Sequence, residues 1–121
     1  MIKRPLNPQF TKAVLEGRKV STIRRTAWPV GVPIILYNWS GKPYRSKQKD
    51  VAVIVAFLAV PVIIHHRADG FIAIETARGS MIPNLWIDEG FNTLNAFDEW
   101  FRRAIPNGAK IEQYLMRFKL K

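Results

Sequence analysis

The chain has 121 residues, the length of one domain around a single core, and no cysteine, which excludes a disulfide framework and a thiolate metal site. Its net charge of +10 is lopsided: residues 1–50 hold eleven Lys/Arg against two acids, a balance of +9, whereas residues 51–121 hold eight against seven. So uneven a field suits an anionic partner on one side of the molecule, a nucleic acid or a nucleotide-like ligand.

Met1-Ile2-Lys3-Arg4-Pro5 is charged and meets a proline before any apolar run, unlike a signal peptide, and a cytoplasmic location is expected. Asn7 is a good N-cap with Pro8 at the first helical position. Phe10, Ala13, Val14 and Gly17 then recur at helical spacing, which predicts an amphipathic helix over about 8–16. Ser21 to Arg24 and Ile34 to Trp39 read as strands. Val51 to Leu58 is an unbroken apolar run, as in a strand buried on both faces. The longer run to Ile64 contains Pro61 and is too short to span a bilayer. Val62 to His66 and Phe71 to Thr76 flank Arg67-Ala68-Asp69-Gly70, a hairpin signal. A helical turn is expected at Asn84 to Glu89. Thr93 caps a second helix with Leu94, Phe97, Phe101, Ala104 and Ile105 inward, stopped by Pro106-Asn107-Gly108. Tyr114, Met116, Phe118 and Leu120 alternate with Leu115, Arg117, Lys119 and Lys121, a final strand with one charged face. The fold class is α+β, one domain over 1–121, with a curved or closed sheet.

Chemistry concentrates in Gly17-Arg18-Lys19-Val20-Ser21-Thr22-Ile23-Arg24. A helix ends at glycine, Lys19 sits in the bend, and Thr22 and Arg24 alternate onto one face of the following strand. An amine, a hydroxyl and a fixed cation are thereby grouped at an element edge. Trp28 follows closely, as a candidate cleft wall or a core residue. A second candidate is the loop of Trp39, Lys42, Tyr44, Arg45, Lys47 and Lys49. Its cations suit phosphates, and its rings suit stacking on bases. His65-His66 has no second ligand cluster, so no metal and no cofactor are expected. Trp100 and Phe101 read as core, and Asp88 and Glu89 diverge rather than pair.

Gly17-x-Lys19-x-x-Thr22-x-Arg24 after an N-terminal helix, followed by Glu89-Gly90-Phe91 and Asp98-Glu99-Trp100-Phe101, resembles the ASCH domain family over nearly the whole chain. The resemblance implies a small PUA-like β-barrel of about five to seven strands flanked by two main helices. It also implies a cleft where the first motif meets the acidic one, and a partner that is RNA or a modified nucleoside. One branch of the family hydrolyses the acetyl amide of N4-acetylcytidine with a Lys, a Thr and a Glu, which correspond to Lys19, Thr22 and Glu89 here. Arg24 follows Thr22 at the same spacing. That branch is shorter, has Asn-Met where this chain has Gly90-Phe91, and lacks both the Trp39–Lys49 loop and the Asp69-Gly70 hairpin.

Amide hydrolysis needs a nucleophile, a base for its proton and an acid for the departing amine. Thr22 can be the nucleophile, with Lys19 as base if burial and Arg24 lower its pKa. Glu89 serves as acid if it holds a proton, and Arg24 and Trp28 are the expected substrate-binding residues. Two other functions use the same surface: an RNA-binding module without catalysis, and a ribonuclease.

Overall fold

The longest element is a nineteen-residue strand, β4 (Gln48–His66), on which the other strands are arranged. The computed structural model describes residues 1–82 and 84–121. In chain order, β1 (Ile2–Pro5) leads into a 3₁₀ turn (Pro8–Phe10) and helix α1 (Thr11–Leu15), followed by β2 (Ser21–Arg24), β3 (Pro33–Trp39) and β4. Then come β5 (Ile72–Thr76), the short helix α2 (Leu85–Asp88), helix α3 (Leu94–Ala104) and β6 (Lys110–Leu120). Local signals act where expected. The Asn7 side chain accepts the Gln9 N–H, and Thr93 accepts the Ala96 N–H. No helix among the described residues is long and apolar enough to cross a membrane.

The runs Val51–Leu58 and Val62–His66, expected to be two strands, are one. Pro61 is tolerated because residues 56–61 of β4 pair only with β6; β3 ends its pairing at Val55 and β5 begins at Val62. A proline there removes no strand-to-strand hydrogen bond. β1 was not anticipated; it pairs parallel to β3, Ile2 opposite Ile34.

One of two irregularities in the β4 ladders divides the interior. Ala56 lies opposite Phe118 but Leu58 lies opposite Arg117, so Phe57 is an extra residue in the ladder. Beyond it, even-numbered residues of β4 change face. Ile54 and Ala56 pack with Leu6, Phe10, Val14, Trp28, Met116 and Phe118. Val62 and Ile64 pack with Ile72, Leu85, Phe97, Phe101, Ile105 and Leu115. Both faces of β6 are therefore used: Leu115 is buried in one cluster and Met116 in the other, while Tyr114 and Leu120 are partly exposed. This replaces the expected single charged face. On α3, Phe97, Phe101 and the C-capping Ile105 are buried as expected, but Leu94 and Ala104 face outward.

The strands do not close into the expected barrel. Pairing runs β1-β3-β4-β6-β2, with β5 added to β4, and the end strands β1 and β2 do not pair. The gap persists because β1 stops at Pro5, ahead of Asn7-Pro8, and the free edge of the four-residue β2 is met by a side chain rather than a strand.

Deleting Phe57 should abolish the cooperative thermal unfolding transition, because every later residue of β4 would face the wrong core. Phe57→Thr, at a position 56 % exposed, should stay within about 0.5 kcal/mol of the parent. Calorimetry of both variants checks this.

Candidate functional site

Gly17 takes φ +76°, a conformation nearly free of cost only without a side chain, and the Arg18 and Lys19 N–H groups both turn back to the Ala13 carbonyl at 2.8 and 3.0 Å. The chain reverses into β2 and leaves Lys19 buried in the bend, 4 % exposed. Among the described residues β2 pairs with β6 alone, Thr22 opposite Met116 and Arg24 opposite Tyr114. Thr22 and Arg24 thus share a face, and Arg24 Nε donates to Thr22 Oγ1 at 2.9 Å.

The turn after α2 meets the free edge of β2. The Val20 N–H donates to the Asp88 carbonyl at 2.8 Å. The Ser21 hydroxyl donates to Glu89 Oε2, and the Ile23 backbone N–H also bonds the carboxylate. Lys19 Nζ donates to the Glu89 carbonyl at 2.9 Å and lies 4.7 Å from the centre of the Phe10 ring. Lys19 therefore holds the Glu89 backbone, and no ion pair joins its amine to the carboxylate within 4.0 Å. Asp88 diverges, pairing with Arg117 at 2.9 Å. Gly90 makes the approach possible: at φ +86°, a Cβ there would lie 2.9 Å from Lys19 Cβ and 3.2 Å from Ala13 Cβ.

Lys19, Thr22, Arg24 and Glu89 line one cavity of about 120 Å³, small beside the ~300–1,000 Å³ of common ligand pockets. It has room for a small group of a ligand and not for a whole one. Phe10, Phe91 and Trp100 add aromatic walls, Phe91 meeting Phe10 edge-on at 5.0 Å and Trp100 at 5.8 Å. Phe101 is core as expected, but Trp100 is 41 % exposed and forms part of the rim.

Burial governs the titration of the site. It lowers the Lys19 pKa, with Arg24 adding to the effect and Glu89 opposing it. It raises that of Glu89, against the pull of Lys19, the Ser21 hydroxyl, Arg24 and the Ile23 N–H. Burial thus pushes each group toward its neutral form, while their mutual attraction opposes it. Arg24 is also lowered by burial, yet a guanidinium stays charged.

The other candidates divide. Trp28 is 4 % exposed in the core and does not line the cavity; instead its ring supports the Arg24 guanidinium at 4.9 Å. Lys42, Tyr44, Arg45 and Lys47 are exposed in the loop between β3 and β4, Trp39 ends β3 half-buried, and Lys49 is exposed within β4. His66 is buried, with Nδ1 bonded to the Ile105 carbonyl at 2.8 Å. Sequence reasoning missed Ser21, Phe91 and the lining role of Asn7. The available signal for Ser21 was its polarity on a short strand next to a motif.

Between the ordinary glutamate pKa and its raised value, native Glu89 holds a proton that the unfolded chain has lost, so stability falls as pH rises. Between the lowered value of Lys19 and the ordinary lysine pKa, the unfolded chain holds the extra proton, so stability rises with pH. Tm against pH should therefore pass through a minimum that is absent in the Lys19→Met/Glu89→Gln double variant. Gly90→Ala should cost about 1–3 kcal/mol by chemical denaturation, since the added methyl group meets Lys19 and Ala13.

Compared with family models, with curated proteins and with solved structures, the chain matches none.

Proposed function

We propose that the protein hydrolyses the amide bond of an acylated nucleoside of the N4-acetylcytidine type. The observation that carries this reading is the meeting of Lys19, Thr22, Arg24 and Glu89, from two distant segments, in one cavity where burial favours a neutral amine and a neutral carboxyl. The resemblance of the two motifs to ASCH domains supports the same chemistry.

Thr22 Oγ1 adds to the acyl carbon and its proton passes to the Lys19 amine. The Arg24 bond to Oγ1 favours loss of that proton, and its guanidinium offsets the negative charge that develops on the acyl oxygen. The C–N bond breaks as the Glu89 carboxyl protonates the departing exocyclic amine. Water then hydrolyses the threonine ester, releasing acetate and restoring the hydroxyl. The resulting ammonium gives up its proton and the carboxylate regains one by exchange with solvent, which restores both groups between turnovers.

Acetate release from N4-acetylcytidine should be measurable in the wild type. Lys19→Ala and Glu89→Ala should each lower kcat by about 100-fold or more, with the fold retained by circular dichroism. Thr22→Ala should do the same and Thr22→Ser should retain activity; an active Thr22→Ala would make the hydroxyl a positioning group. No release across a pH series would favour the second reading, an RNA-binding module, which the exposed cations and rings of the β3–β4 loop support.

A further inference from the structure

A second cavity, of about 480 Å³, adjoins the first. Arg24 and Asn7 line both. Its remaining wall includes Pro5, Pro43, Trp39 and Tyr44, and no acidic side chain is present in it. The Trp39 and Tyr44 rings lie 5.2 Å apart, tilted by 49°. Tyr44 is 89 % exposed, far more than its apolar ring would favour, and its backbone sits at φ +63°, a strained conformation for a bulky residue.

The strain is held by a built turn. The Ser40 N–H donates to the Lys47 carbonyl at 2.8 Å, the Gly41 N–H to Ser46 Oγ at 2.9 Å, and Ser46 Oγ to the Lys42 carbonyl at 2.8 Å. The exposed Lys42, Arg45 and Lys47 have no acidic partner among the described residues, and Asp50 at the base of the loop is taken by Lys3 at 3.1 Å. Arg24 at the junction makes one side-chain hydrogen bond to the described residues, through Nε to Thr22. An apolar slot with a presented ring, a cation at its inner end and further cations outside fits a stacked base flanked by phosphates.

We infer that the ligand spans both cavities and is single-stranded RNA: the acylated base enters beside Lys19, Thr22, Arg24 and Glu89, the connecting phosphate faces the unpaired cations of the β3–β4 loop, and the neighbouring base stacks on Tyr44 against Trp39. This inference rests on the amide-hydrolase reading for the identity of the first base alone; the second cavity binds a base whether or not the first cleaves anything.

The test uses three probes: N4-acetylcytidine, its monophosphates, and an RNA trinucleotide with the acetylated cytidine in the middle. Affinity is measured by calorimetry on Lys19→Ala protein, and acetate release on the wild type. The trinucleotide should bind at least about tenfold more tightly than the nucleoside. Tyr44→Ala should remove that gain and leave the salt dependence of RNA binding nearly intact, while Tyr44→Phe should retain the gain. Equal affinity for nucleoside and trinucleotide, or a trinucleotide affinity indifferent to Tyr44→Ala, would overturn the inference. Tyr44-dependent binding with no acetate released from any probe would support the second subsite and remove the hydrolase; acetate released from all probes with Tyr44→Ala silent would do the reverse.

Discussion

A strand at the end of a sheet leaves one side of its backbone without partners, and β2 is such a strand. Its free edge is satisfied by the turn after α2, through the Asp88 carbonyl and the Glu89 carboxylate. Most of the site follows from that requirement. Bringing Glu89 to the edge buries it, and burial moves its proton affinity upward. The same turn presents the Glu89 carbonyl to Lys19, which buries the amine and moves its affinity downward. Gly90 closes the geometry by offering no side chain where the Lys19 stem passes. A structural obligation of the sheet and the chemical tuning of the pocket are thus one set of contacts.

Arg24 is the second organising residue. Trp28 supports its guanidinium from the core side, Nε is committed to Thr22, and the side chain lines both cavities. A lysine would supply the charge but not the plane, and would neither stack on the indole nor hold the hydroxyl from a fixed direction. Trp28 therefore influences the cavity from beneath, without lining it.

What was legible in the sequence was local. The Asn7 and Thr93 caps, the glycine stop after α1 and the Asp69-Gly70 turn, where Asp69 accepts the Phe71 N–H at 3.0 Å, each depend on residues a few positions apart. The motif spacing likewise placed Thr22 and Arg24 on one face of β2. What was not legible depends on partners far along the chain. Pro61 looks like a break until one sees that its edge of β4 has no neighbouring strand. The change of face at Phe57 exists only relative to the register of β6, so the burial of Leu115 and the exposure of Tyr114 could not be read from alternation. Parallel pairing of β1 with β3 leaves no short-range signature. Ser21 was overlooked because its partner, Glu89, lies 68 residues away.

The pairing of β2 with β6 alone has a consequence for how the molecule comes into being. During synthesis, Lys19, Thr22, Arg24 and Glu89 all leave the ribosome before residues 114–117, which supply the backbone ladder of β2. The candidate pocket therefore cannot mature before β6 is made, although every side chain that lines it has by then been synthesised. β6 closes contacts between residues far apart in the sequence, Ser21 opposite Arg117 among them, and closing so long a loop carries an entropic cost. Assembly of the candidate pocket and pairing of β6 with β2 are then coupled.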